Sequence, residues 1–159
     1  AQLDRFMFNT FVDYPSNDEL EQIVISTTGD TTPTVEPVMT KKEILGIQKI
    51  VRRIPVAQPV VNYVVRLSAA TRPKEETAPH FIKEYLNWGA GPRAAQYLVL
   101  GAKARAVLHG NTHASLEDAQ AVAVSVLRHR ISLNFNALTE HMNDVQIIKM
   151  LLDEIPVNQ

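Results

Sequence analysis

The 159 residues contain no cysteine, which excludes disulfides and thiolate metal sites. Glycine is scarce, with six residues, and none falls in a Gly-x-x-x-x-Gly-Lys-Ser/Thr pattern. Nothing in the sequence can therefore cradle α and β phosphates or hold magnesium as a P-loop does. No apolar run is long enough to span a bilayer, and no secretory signal is recognisable. Neither charge sign dominates: 16 Lys and Arg face 17 Asp and Glu, for a net charge of −1. That balance gives no electrostatic case for nucleic acid or a membrane surface as a main partner. What the chain does have is apolar content, 45% with a mean hydropathy of −0.09, enough for a real core in one ordinary domain. The lack of cysteine fits a cytoplasmic setting.

The apolar residues recur mostly at helical spacing. Residues 6–12 alternate and predict a strand or extended connector. Ser16 with Glu19 forms a capping box, predicting a helix from about Asn17 to Thr27 that buries Leu20, Ile23 and Val24. Residues 29–37 are rich in Thr, Pro and Gly and read as the longest loop. Thr40 and Glu43 cap a second helix carrying Ile44, Leu45, Ile47, Ile50 and Val51. Residues 59–71 predict a third despite their valines, because the segment is long and Pro59 suits a first turn. Pro79 starts a short helix ending near Trp88-Gly89, followed by a helix from Pro92 to about His109 with Gly110 at its cap. Ser115, with Asp118, starts a helix whose stripe is Ala119, Val122, Ala123, Val126 and Leu127. A last helix runs from about Asn143 to Ile155. The sum is an all-α bundle of five to seven helices behind a short extended segment.

Within this frame Gly89-Ala90-Gly91-Pro92-Arg93 is the stretch with chemical content. Pro92 fits the first helical position, and that places Arg93 in the first turn. A cation there opposes the helix dipole by about 0.3–1 kcal/mol unless an anion also sits at the helix start and uses its free N–H groups. The stretch therefore suggests a bound anion such as phosphate, against the plainer alternative of a solvated arginine after a glycine loop.

Several stretches in order resemble the MoxR-type AAA+ ATPases. They are Ala1-Gln2-Leu3-Asp4-Arg5-Phe6, Ala70-Thr71-Arg72, Gly89 to Ala95, Gly101 to Ala106, and Ser125-Val126-Leu127-Arg128-His129-Arg130. The resemblance covers nearly the whole chain. It implies the carboxy-terminal part of such an ATPase: residues 1–14 as the end of the AAA+ core and residues 15–159 as the helical lid. It also implies that the P-loop lies in an upstream part of the protein, so that this fragment alone would not hydrolyse ATP.

The same resemblance assigns candidate site residues. Arg5 resembles the arginine finger, which reaches a neighbouring subunit's γ-phosphate, where a guanidinium supplies charge and directed donors. The alternative for Arg5 is a surface ion pair with Asp4 or another carboxylate. Arg93 resembles the sensor-2 arginine, with Pro92 and Gly91 beside it at the nucleotide phosphate, in its own or a neighbouring subunit. The wider implications are ATP and magnesium as cofactors of the intact protein, a hexameric ring, a chaperone-like role, and von Willebrand factor A domain proteins as partners. The fragment alone is expected to be a monomer.

Other residues read as structural. Arg128, His129 and Arg130 look like a solvated or capping cluster at a helix end. His109 and His113 are separated by helix-breaking Gly110 and Asn111 and make a poor zinc site. Trp88 and Tyr97 are expected in the core. Two other functions stay open: a stand-alone helical module binding a protein or, less favoured, nucleic acid through the Arg128–Arg130 patch, and the lid of a magnesium-chelatase-type ATPase subunit.

Overall fold

The computed structural model describes residues 2–30 and 34–157. A single 3-10 turn, Leu3–Arg5, opens an extended segment that continues to Ser16. Then come α1 (Asn17–Thr28), α2 (Lys41–Arg53), α3 (Gln58–Ala70) and α4 (His80–Tyr85). The strand β1 (Leu86–Trp88) leads to α5 (Pro92–Leu108) and α6 (Leu116–Leu127). The strand β2 (Ser132–Leu133), α7 (Phe135–Thr139) and α8 (Asp144–Glu154) complete the chain. The protein is all-α, with eight α-helices among the described residues and one small antiparallel ribbon of β1 and β2. The expected count of five to seven helices falls short by α7, whose five residues are too few to show a period.

The helix ends follow from the sequence. Ser16, Thr40, Ser115 and Asn143 each form a full capping box with the residue three positions on. Helix α5 ends in a Schellman motif: Asn111 donates to the Ala106 carbonyl at 2.8 Å, Gly110 donates to Val107 at 3.0 Å, and Gly110 sits at φ 72°. The valine-rich α3 is a helix because packing overrides a weak propensity: Val60, Tyr63, Val64 and Leu67 are all buried.

Helices α5 and α6 form the centre. Ala94, Leu98, Gly101, Ala102 and Ala106 on α5 face Ala119, Ala123, Val126 and Leu127 on α6, and all are buried. Small residues let the two backbones approach closely. A Cβ at Gly101 would lie 3.2 Å from Val122 Cγ2 and 3.3 Å from Phe8 Cζ, so the extended segment also presses on this seam. α3 and α8 close the core with Leu67, Ile147, Ile148 and Leu151. Each such large side chain contributes about 1.5–3 kcal/mol through burial.

Three expectations need correction. Helix α1 forms, but Leu20, Ile23 and Val24 are not buried and remain 46–51% exposed. The apolar residues Ile44, Leu45, Ile47 and Ile50 of α2 are exposed in the same way. Periodicity reveals a helix's apolar face but not what covers it. Trp88 is not a core residue; it is 63% exposed. The expected helix from Pro79 stops at Tyr85 and becomes β1, where Leu86 pairs with Leu133 and Trp88 pairs with Ser132. That register holds one extra residue in β1, a bulge that turns Trp88 away from the side of buried Leu86. Among the described residues the extended segment pairs with no strand, although the Asn9 N–H donates to the Ser125 carbonyl at 2.8 Å.

Candidate arginine site at the start of α5

The loop before α5 is pinned by the end of α3. The Thr71 hydroxyl donates to the Ser68 carbonyl at 2.7 Å and accepts the Ala90 N–H at 2.8 Å. Arg72 Nε donates to the Ala90 carbonyl at 2.9 Å, and Arg72 also pairs with Glu75 at 3.4 Å. The approach is so close that a Cβ on Gly89 would lie 2.1 Å from the Thr71 carbonyl oxygen. Only glycine fits at that position. Thr71 and Arg72 thus fix where α5 begins and where Arg93 emerges.

Arg93 occupies the first turn of α5, as the sequence predicts, and its side chain is 48% exposed. It is not a freely solvated arginine. Its Nη1 pairs with Asp4 Oδ2 at 3.0 Å, so the carboxylate of a distant segment sits by the helix start. Gly91 takes the N-cap position without a side-chain cap, and Pro92 follows it.

The other oxygen of Asp4 belongs to Arg130. Arg130 Nε lies 3.0 Å from Asp4 Oδ1, in a side chain only 1% exposed. The same guanidinium donates to the carbonyls of Asp4 at 3.0 Å and Met7 at 3.3 Å, and also to those of Phe6 and Val126. Its central carbon stands 5.0 Å from the Tyr97 ring centroid, and the Tyr97 hydroxyl donates to the Arg5 carbonyl at 3.0 Å. Tyr97 lies one turn beyond Arg93 on α5 and packs against the core, as expected.

Of the expected solvated or capping cluster, the capping reading holds, since Arg128 is the C-cap of α6 and Arg130 donates to the Val126 carbonyl, but the cluster is not solvated. Arg130 holds the amino-terminal segment. Arg128 pairs with Asp144 at 3.0 Å and stands 5.7 Å over the Phe11 ring. His129 Nε2 lies 3.1 Å from the Phe6 carbonyl. All three side chains turn toward the segment or α8, since residues 4–11 cross the end of α6.

Charge at the site follows from these contacts. Partial burial works against the charged form of Asp4, but hydrogen bonds from Arg93 and Arg130 outweigh it and hold the carboxyl below its usual value. Burial lowers the His129 pKa, and the Arg130 and Arg128 charges add to this against the Phe6 carbonyl and Asp4. The lowered pKa favours the neutral imidazole, consistent with a buried Nδ1 that has no hydrogen-bond partner.

Arg5 is exposed and makes no ion pair among the described residues. The alternative of a pair with Asp4 does not hold, because both Asp4 oxygens face other arginines. Arg5 and Arg93 are nonetheless brought to one end of the molecule, linked through Asp4 and Tyr97. Among the described residues no group of three or more potential ligands could hold a metal ion; His109 Nδ1 lies 2.8 Å from the Arg105 carbonyl. Sequence reasoning missed Asp4 and Arg130. The one signal was an arginine set between apolar Leu127 and Ile131.

Comparison with known proteins agrees with this architecture. Residues 80–151 match the AAA lid domain family. The whole chain is 32% identical to the chaperone MoxR1 of Mycobacterium tuberculosis, covering 42% of that protein. It is 28% identical over 158 residues to the uncharacterised protein YeaC of Bacillus subtilis, covering 47% of it. A crystal structure of a candidate ATPase from Cytophaga hutchinsonii superposes with a TM-score of 0.87 at 27% identity, over 99% of this chain and 48% of that one. The chain spans less than half the length of each of these relatives. Residues 80–151 are thus similar to AAA lid domains, and the chain as a whole is similar to part of the chaperone MoxR1.

Proposed function

We propose that this chain serves ATP binding and hydrolysis in a ring-forming, chaperone-like AAA+ ATPase by presenting Arg5 and Arg93 to a nucleotide's phosphates. The observation that carries this reading is the placement of Arg93. It is half exposed in the first turn of α5 and tied through Asp4 to the turn that bears Arg5. An arginine in that turn is favoured when an anion lies beside it, and a bound phosphate would take up the helix's free N–H groups as well. Arg5, exposed and without an ion pair among the described residues, is available to reach outward.

Because both arginines emerge at one end, we assign them to one nucleotide, held by a neighbouring subunit. ATP and magnesium would be bound by a P-loop outside this sequence. A hexameric ring, a cytoplasmic setting and von Willebrand factor A domain partners belong to the same proposal, as what the sequence resemblance to MoxR-type AAA+ ATPases implies.

The test is steady-state hydrolysis and equilibrium ATP binding by the full-length ATPase. Arg5→Ala is expected to leave ATP affinity nearly unchanged and to cut turnover by about a thousandfold or more, as loss of an arginine finger does. Arg93→Ala is expected to weaken both binding and turnover. Unimpaired turnover in both variants would remove the assignment.

A further inference from the structure

The geometry points to Asp4 as a positioning residue that parks the Arg93 guanidinium and exchanges it with the nucleotide's terminal phosphate. This rests on the reading of Arg93 as a phosphate-contacting arginine. The carboxylate divides its two oxygens between unequal partners. Oδ1 is fixed by Arg130, which is 1% exposed and held by four main-chain carbonyls. Oδ2 meets Arg93, on a side chain 48% exposed and at the open end of α5. One arm cannot move without dismantling the segment, whereas the other is free to swing.

Asp4 also does at α5 what a phosphate would do. It places negative charge beside an N-cap that has no side-chain acceptor, and beside a cation that would otherwise oppose the dipole. Carboxylate and phosphate therefore compete for the same guanidinium. A terminal phosphate brings more charge and more acceptor oxygens, so Arg93 transfers when it arrives and returns when it leaves. Asp4 precedes Arg5 in the same turn, and Tyr97, one turn from Arg93, holds the Arg5 carbonyl. The exchange at Arg93 is thereby felt at the backbone that carries Arg5.

The test is the split between KM and kcat for ATP in the full-length ATPase carrying Asp4→Asn. Asparagine keeps the size but gives up the charge that competes with phosphate. The expected result is a KM about three- to tenfold lower, together with a kcat about tenfold lower, because Arg93 no longer has an anion to return to. A merely structural role predicts the reverse for KM, since a loosened segment weakens nucleotide binding. An unchanged or raised KM overturns the proposal.

Asp4→Glu reads the same contact should the asparagine variant be unstable. It retains the charge and is expected to keep KM within about twofold of wild type. A KM as low as that expected for the asparagine variant overturns the proposal too. Arg93→Ala separates the two readings. Normal hydrolysis there removes the phosphate-contact assignment itself, whereas impaired hydrolysis beside an unmoved KM in Asp4→Asn removes only the role of Asp4.

Discussion

Gly89 and Thr71 meet backbone to backbone: a Cβ on the glycine would stand 2.1 Å from the Thr71 carbonyl oxygen and 2.6 Å from its Oγ1. Neither neighbour can give way, since the Thr71 hydroxyl is bonded to both Ser68 and Ala90. Gly89→Ala is expected to destabilise the fold by about 2–3 kcal/mol, in the upper range for overpacking, measured by urea denaturation. Gly91→Ala, where a Cβ would have nothing within 4 Å, should stay within about 0.5 kcal/mol of wild type.

Arg105 and Asp118 lock the two central helices together. The Arg105 guanidinium lies 2.6 Å from Asp118 Oδ1, while Asp118 Oδ2 accepts from the N–H and hydroxyl of Ser115. Burial penalises the Asp118 charge, but these bonds outweigh it and keep its pKa below the usual value. Asp118→Ala is expected to cost about 3 kcal/mol, because it removes a cap and leaves Arg105 without its closest partner.

The sign of the acid dependence follows from that lowered pKa. The stabilisation is fully present above about pH 4, the unfolded carboxylate value, and fades as pH falls through the lower folded value. Asp118→Asn should flatten that part of a stability-versus-pH curve, read as the denaturant midpoint.

His129 acts in a higher window. Its folded pKa lies below the ordinary histidine value, so the unfolded chain takes up the proton first. Stability is expected to fall as pH drops below about 6.5, and to level off below the folded pKa. His129→Gln should lose this step while retaining the carboxylate transition at lower pH.

Arg130→Ala is expected to release residues 4–8 from the end of α6. Four carbonyls and one Asp4 oxygen would each lose the arginine as donor, at a cost of about 3–5 kcal/mol for breaking a buried charged network. Amide hydrogen exchange should report it directly, with the Asn9 amide, now bonded to the Ser125 carbonyl, losing protection.

Most of the fold was legible because its signals are local. Capping boxes at Ser16, Thr40 and Ser115, Pro92 at a first turn and Gly110 past a last one mark helix ends through contacts a few residues long. The place of Arg93 in the first turn of α5 was legible for the same reason. What escaped depends on partners far along the chain. Asp4 lies 126 residues before Arg130, and nothing at either position encodes the pairing. The bulge that turns Trp88 outward depends on β2, more than forty residues later. The exposed face of α1 was misread as buried because an apolar stripe carries no record of its cover.

The most direct test of the account is ATP turnover by rings assembled from two inactive subunits. One carries Arg5→Ala with Arg93→Ala; the other has its P-loop lysine replaced in the part of the ATPase outside this sequence. If both arginines serve a neighbour's nucleotide, an equal mixture regains about a quarter of wild-type activity, the chance that an intact nucleotide site adjoins intact arginines in a closed ring. A mixture as inactive as its two components would contradict it.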